Sequence, residues 1–342
     1  MTNTEDSGTT LVSDFNLDSL VEEVAVILHT GRKVPGPISS LASETAIATS
    51  AFEPTPRLTR NEDELSVIVN IEQSSSWNIR SVAGAWRRIV MNILSNAMKW
   101  TQTGLIEVSL SQAAAQTQAD THLVHLRVTD TGQGISQDFL RNSAFSPFAQ
   151  EDALSEGVGL GLSIVHKLVT FLGGDLKIKS EIGVGTQVDV YIPAQRPKDH
   201  VPAKLFDDLS LLGIQRHKDS LKACLIGFNG YPDLMETPTG ILSSDAKRRL
   251  SIQSTLANVF KVQLGWHIIL AESLEKGEGD IAVIEEAKFN AMLNNQSPST
   301  ISAGHHFKFF IVLASATSSR AHPLPLNAIL LSQPYVQSSP FS

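Results

Sequence analysis

In the stretch SEGVGLGLSIVHKLVTFLGG (155–174), glycine recurs at 157, 159 and 161, immediately before an apolar run of helical period. Each glycine disfavours a helix by up to ~1 kcal/mol relative to alanine. Three of them where a helix must begin constrain the fold more than any other feature of the chain. Two readings fit. One is a loose connector; the other is a backbone loop that approaches a phosphate too closely for a side chain. The flanking elements have to decide.

The chain has 342 residues, and a single core stops growing at about 250–300 residues, so two domains are expected. Hydrophobic content of 42% and charged content of 18% are those of an ordinary globular chain. A net charge of -8 argues against the basic face of a nucleic-acid binder. No apolar run approaches the ~20 residues needed to cross a bilayer. The start, MTNTEDSGTT, lacks the basic and apolar regions of a signal peptide. The one cysteine, Cys224, excludes an internal disulfide or a multi-cysteine metal site. A cytoplasmic location is the default expectation.

Leu17, Leu20, Val21, Val24, Ile27 and Leu28 form one stripe, predicting a helix over 14–30 with Asp14 or Asn16 as cap and Gly31 as its end. Residues 32–62, rich in Pro, Ser, Thr and Ala without periodicity, read as a linker. Over 63–195 the pattern is regular. It predicts strands at 65–71, 105–111, 122–130, 174–180 and 185–193, long helices at 83–100 and 161–172, and a short helical piece at 136–141. With helices 14–30, 83–100 and 161–172 on one face, this is a two-layer α/β sandwich, not a doubly wound sheet. Residues 196–220 read as a second linker. Strands at 221–228, 266–271, 280–285, 307–313 and 327–332, with a helix over 244–264, predict a small parallel α/β domain over 221–335. The tail, QPYVQSSPFS, lacks a closing helix and reads as cut short.

Helix 83–100 places Asn92, Asn96 and Lys99 on one face beside the apolar stripe of Ile89, Ile93 and Ala97. That face is either simply solvated or functional. A functional face would offer an amide oxygen of Asn96 to a metal and the Lys99 ammonium to phosphate. Asp130 ends a strand in VTDTGQGIS. Followed by Gly132 and Gly134, it is either an ordinary turn exit or an acceptor for an exocyclic amine, with glycines that let a flat base lie over the backbone. Thr186 follows a further glycine pair in EIGVGTQ.

The order of these elements is more specific than any one of them. NILSNAMKWT, DTGQGI, FSPF (145–148) and GVGLGLSIV resemble the N box, first glycine box, F box and second glycine box of the ATP-binding domain of histidine kinases. That domain belongs to a superfamily shared with gyrase, MutL and the heat-shock chaperone ATPases. The likeness spans about 65–193, and the wording of AGAWRRIVMNILSNAMK and SQDFLRNSAFSPFAQED is most similar to fungal hybrid kinases. It implies a Bergerat-type fold binding ATP and Mg²⁺, with Asn92 and Asn96 at the metal, Lys99 at phosphate and Asp130 on the adenine amine. Gly132, Gly134, Phe145, Phe148 and Thr186 would line the nucleotide. Gly157, Gly159, Leu160 and Gly161 would face the triphosphate at a helix N-terminus, and 135–156 would form a lid.

Hydrolysing members of the superfamily place a glutamate one turn before the metal asparagine. Here that position is Asn92, which cannot serve as a base, so transfer to an external nucleophile is implied rather than hydrolysis. The chain departs from the kinase pattern at Val158 (Thr is common there) and at Trp100 (usually Phe or Tyr). EDALSEG also lacks the lid arginine. These departures bear on turnover more than on binding.

A histidine kinase also needs a phosphoacceptor histidine on a dimerisation hairpin. HTGRKVP at His29 lacks the acidic neighbour and reads as a surface helix end, and His166 lies in the glycine-box helix. Residues 1–31 are therefore expected to be the connector that follows a missing hairpin. The expected partner is a histidine-containing dimerisation domain of a kinase, or an absent part of the same protein. Residues 221–335 resemble the segment before the receiver of fungal hybrid kinases, here without a complete acid pocket or switch lysine; 336–342 is a tail. The alternative reading is a nucleotide-binding adaptor that pairs with intact kinases and transfers nothing.

Overall fold

The computed structural model describes residues 12–33, 65–72, 76–113, 121–151, 158–197, 221–228, 244–295, 307–314, 324–325 and 327–336. Strand β1 (Ser13–Asn16) leads into helix α1 (Leu17–Lys33), followed by β2 (Leu65–Ile71), β3 (Asn78–Ser81) and the long helix α2 (Ala83–Trp100). Then come β4 (Gly104–Ala113), β5 (Thr121–Asp130), the short α3 (Gln137–Asn142), α4 (Gly161–Phe171), β6 (Asp175–Glu181) and β7 (Gly185–Gln195). The large sheet runs β1, β3, β7, β5, β4, β2, with β6 paired to β7.

Strand alternation fixes its two faces. Val124, Leu126 and Val128 of β5 and Val188, Val190 and Ile192 of β7 are buried on the same side. They pack under Leu17, Val21 and Val24 of α1, Trp86, Ile89 and Ile93 of α2, and Val165 and Val169 of α4. Trp86 is fully buried, and its indole N–H finds the Ser81 hydroxyl at 3.1 Å, so burial of this large ring leaves no donor unpaired. Three helices on one face give the two-layer sandwich that the apolar stripes predict. The sheet has eight strands instead of about five, because β1, β3 and a two-residue strand at Tyr335–Val336 are too short to show a period.

The second domain comprises β8 (Lys222–Ile226), α5 (Ser244–Ala257, continued by a π-helical turn to Gln263), β9 (His267–Ala271), β10 (Ile281–Glu285), α6 (Glu286–Asn295), β11 (Phe309–Leu313) and β12 (Ala328–Leu331). Its five strands are all parallel, in the order β12, β11, β10, β8, β9. Counted along the chain this is the 2-1-3-4-5 order of a doubly wound sheet, which carries its crevice where the order reverses, between β8 and β10.

Helix α5 lies between the two sheets. Ile252, Leu256, Val259 and Phe260 share one apolar cluster with Leu225 and Val283 of the small sheet and with Ile68 and Leu105 on the outer face of the large one. Polar contacts fix the register: Ser251 Oγ donates to Glu107 at 3.0 Å, and Thr255 Oγ1 donates to Asn70 at 2.8 Å. Arg248 donates to Ser66 Oγ at 3.4 Å and to Glu285 at 3.2 Å. Strand β13 (Tyr335–Val336) then returns to pair in parallel with β2, Tyr335 opposite Ile68. The start of the tail, expected to lie outside any element, thus adds a strand to the large sheet. Gln333 accepts from the Val67 N–H at 3.0 Å, and Tyr335 donates to the Ala314 carbonyl at 2.8 Å.

Two local expectations are corrected. Residues 13–16 pair with β3, so the helix starts at Leu17, directly after the cap candidate Asn16. Gly31 does not end it: a side chain there would meet nothing within 4 Å, no positive φ is imposed, and the helix runs on to Lys33. His29, expected at the surface, is buried at 3% exposure. Among the described residues no helix is long and apolar enough to cross a membrane.

Candidate functional site

Packing of α2 against α4 builds the centre of the site. Ile89, Ile93 and Ala97 are buried, and Asn92 and Asn96 stand half-buried on the adjoining face. Opposite them is Gly161, the first residue of α4. A Cβ there would lie 3.3 Å from Asn96 Nδ2, 3.5 Å from Asn92 Oδ1 and 3.6 Å from Asn96 Oδ1. The absent side chain thus lets a helix N-terminus, with its unpaired N–H groups and partial positive charge, close on two amides. Asn92 Nδ2 donates to the Arg88 carbonyl at 2.7 Å, which leaves its oxygen as the atom toward Gly161. Two neutral amide oxygens at a helix N-terminus are suitable donors for a hard cation carrying phosphate. Lys99 is not drawn into this group; its Nζ rests 4.2 Å from the Trp100 ring centroid.

Asp130 closes β5 opposite Thr186 of β7. Its carboxylate accepts the Gly132 N–H at 2.9 Å. Burial pushes its pKa above the ordinary carboxylate range, opposed by the N–H groups of Gly132 and Thr186 and by the Thr101 hydroxyl. A ligand amine donating to this desolvated carboxylate would stabilise its charged form. A Cβ on Gly132 would stand 2.5 Å from the Trp100 carbonyl and 2.7 Å from Thr101 Oγ1. Gly134, at φ +75°, lies so close to the Glu181 carbonyl that a side chain would collide with it. The Ile135 N–H donates to Ser180 Oγ at 2.8 Å, and Ser180 shares a 2.9 Å hydrogen bond with Thr186. Loop 131–135 is thereby fastened to the β6–β7 hairpin.

Phe145 and Phe148 lie beyond α3. The Phe145 ring is 4.8 Å from that of His166, and Phe148 is 70% exposed with φ 64°. Gly159, at φ +72°, sits against the Phe148 and Ala149 backbone, where a Cβ would approach to 2.7 Å. Leu160 occupies the cap position of α4, and its carbonyl accepts from Ile164 at 3.0 Å. Gly157 and most of EDALSEG lie outside the described residues. The sequence reading missed Thr101, fully buried beside Asp130, and Ser180; both act through strands distant in sequence, so no local pattern marks them.

Residues 82–196 match the family model described as histidine kinase-, DNA gyrase B-, and HSP90-like ATPase, and this segment carries a domain of that family. Among curated relatives, the autoinducer 2 sensor kinase/phosphatase LuxQ of Vibrio cholerae is 35% identical over 139 residues, 40% of this chain and 16% of the relative. Hybrid signal transduction histidine kinase A of Dictyostelium discoideum is 28% identical over 250 residues, 68% of this chain and 11% of the relative. The sensor histidine kinase RcsC of Escherichia coli is 38% identical over 120 residues, 33% of this chain and 12% of the relative. The chain thus spans less than a fifth of each relative's length. The solved structure of full-length ShkA in complex with AMPPNP superposes with a TM-score of 0.52 at 18% identity, covering 89% of this chain and 49% of that one. The mixed α/β architecture with helices packed on a sheet is the histidine kinase ATPase fold.

Proposed function

We propose that residues 63–195 bind Mg-ATP and pass its γ-phosphoryl group to a histidine on another segment or chain, as the catalytic part of a hybrid sensor histidine kinase in a phosphorelay. The observation that carries this reading is Gly161, set against the amides of Asn92 and Asn96 at the start of α4. Asn92 and Asn96 are the residues that would hold Mg²⁺, which when bound neutralises phosphate charge. Lys99 leaves its place on Trp100 and pairs with phosphate as a point charge. The Asp130 carboxylate accepts from the adenine amine, with Thr186 behind it, and Gly132 and Gly134 let the base lie against the backbone. Phe145 and Phe148 close over the nucleotide, while N–H groups of Gly157, Gly159, Leu160 and Gly161 face the triphosphate. Positioning and charge neutralisation supply most of such a transfer. Asn92 offers no base to activate water, so hydrolysis by the chain alone is negligible.

We infer further a hybrid kinase of the fungal type acting in the cytoplasm, on the wording of residues 83–99 and 136–152. We read residues 221–335 as a receiver-like domain that carries no phosphate. Its third strand ends in Glu285, already paired with Arg248 and Lys288 at 3.2 Å and 3.5 Å.

Calorimetric titration of ADP and ATP tests the nucleotide pocket: unchanged affinity in both Asn96→Ala and Asp130→Asn would sink it. Incubation with γ-labelled ATP and a separate dimerisation hairpin from a related kinase tests transfer. Acid-labile label is expected on the hairpin's histidine and none on this chain. The label should rise with hairpin concentration, because untethered partners meet at low effective concentration. Label on neither, with ATP still bound, would favour the adaptor reading.

A further inference from the structure

The large sheet has a second face. Leu176 and Ile178 of β6 pack toward the helices, so Lys177 and Lys179 project from the other side. By the same alternation Ile106 and Val108 of β4 face inward, and Leu105 and Glu107 outward. Helix α5 crosses this outer face, and between helix and sheet opens a cleft of about 500 Å³. Small-molecule pockets occupy about 300–1,000 Å³.

The cleft is lined by both domains. Leu105, Val184 and Leu250 give it an apolar lining, drawn from β4, the β6–β7 turn and α5. Lys179 comes from the sheet and Lys247 from the helix. Neither ammonium has a carboxylate partner among the described residues. Two carboxylates also border the space. Glu107 has one oxygen taken by Asn70 Nδ2 at 2.6 Å and the other by Ser251 Oγ at 3.0 Å. Glu181 is exposed at the rim. Glu107 keeps its charge, but neither of its oxygens is free; the ammonium groups of Lys179 and Lys247 are the charged groups left to bond a ligand inside the cleft, and they come together only where the two domains meet.

The back wall is the strand pair carrying Asp130 and Thr186. Asp130 lies two residues on from the inward-facing Val128, so its side chain points to the helix side while its backbone borders the cleft. Gly185, also lining the cleft, is pressed so closely on the Asp130 carbonyl that no side chain fits between them. One layer of backbone separates the cleft from the proposed nucleotide pocket.

We infer that this cleft is a second small-molecule site, taking an amphipathic organic anion. Its apolar body lies along Leu105, Val184 and Leu250, and its carboxylate, sulfonate or phosphate group lies between Lys179 and Lys247. Binding there is coupled to nucleotide binding through the shared strand pair. The coupling rests on the nucleotide reading above; the site itself does not.

Fluorescence titration of the full chain with anilinonaphthalene sulfonate tests it. Saturable binding at one site is expected. It weakens by about tenfold or more in Lys179→Glu/Lys247→Glu, as losing two charge-assisted contacts requires. Lys179→Ala, at an exposed strand position, gives a smaller loss and keeps the assay informative if the double variant does not fold. Non-saturable binding, or unchanged affinity in both variants, overturns the site. Loss of binding in Asp130→Asn with the lysine variants unaffected places the probe in the nucleotide pocket and also overturns it. Titrating ADP with and without the probe should change both affinities by the same factor; independence of the two refutes the coupling. Failure of ADP to bind at all would refute the nucleotide reading while the probe titration still decides the cleft.

Discussion

Gly161 and Asn96 meet so closely that a methyl group on the glycine would lie 3.3 Å from the asparagine amide nitrogen. The position asks for a small residue because of what faces it, not because of its backbone, since no positive φ is imposed there.

Gly161→Ala should therefore separate stability from function. Alanine is the better helix former by up to about 1 kcal/mol, so the thermal midpoint should hold or rise. The added methyl pushes the Asn92 and Asn96 amides away from the helix terminus, and ADP affinity should fall by about tenfold, or ~1.4 kcal/mol. Calorimetry and thermal unfolding on one sample measure both. A loss of stability with affinity intact would show that the contact serves packing alone.

Asp130→Asn should show the same pairing of effects on a larger scale. With its pKa raised by burial, the folded chain holds this proton where the unfolded chain releases it. Stability attributable to Asp130 therefore falls as pH rises from about 4 through the raised value, and the charged carboxylate is a net cost at neutral pH. The variant should melt higher than wild type at pH 7. It should also lose a charge-assisted hydrogen bond of about 1.5–3 kcal/mol to the nucleotide, ten- to a hundredfold in affinity or more.

His122 should make the fold acid-sensitive. Both ring nitrogens are buried without a hydrogen-bond partner among the described residues, and desolvation, reinforced by Arg196, holds the pKa below its ordinary value. Its contribution is complete above about pH 6.5 and is lost as pH falls from there toward the depressed value, because the unfolded chain takes up the proton first. His122→Leu should lose less of its thermal midpoint between pH 7.5 and 5.5 than wild type does; an equal loss would assign the acid sensitivity elsewhere.

Arg248→Ala should loosen the two domains together. The guanidinium is 9% exposed and binds Glu285 of one sheet and Ser66 of the other. Removing one partner of an isolated buried pair costs about 3–5 kcal/mol; the loss here is smaller, because Lys288 at 3.5 Å still compensates Glu285. Calorimetric unfolding should move down and split into two transitions; a single unshifted transition would show that apolar contacts alone hold α5.

Much of this was legible where a residue's role follows from its near neighbours. The stripe of Ile89, Ile93 and Ala97 gave α2, and spacing alone put Asn92 and Asn96 on its adjoining face. Thr101 and Ser180 were illegible because what they touch comes from other strands. The docking of α5 left a trace that could have been read. Every residue of LSVIVNI except Asn70 is buried, and a strand covered on both faces needs a second layer. His29 was misjudged because glycine two residues later looked like an end, and nothing in the fold makes it one.

The parallel pairing of Tyr335 with Ile68 also orders events during synthesis. Strand β2 emerges early, yet its neighbour on one side is among the last described residues to be translated. At about 5–20 residues per second, the edge of β2 waits on the order of ten seconds or more for that neighbour. Until then its main-chain groups and the apolar outer face at Ile68 and Leu105 are open to other chains, the condition under which strand edges recruit wrong partners. Expression yield in cells should thus depend on what covers β2 in that interval, and the chain's long-range contacts should slow its refolding relative to a sheet built from adjacent hairpins.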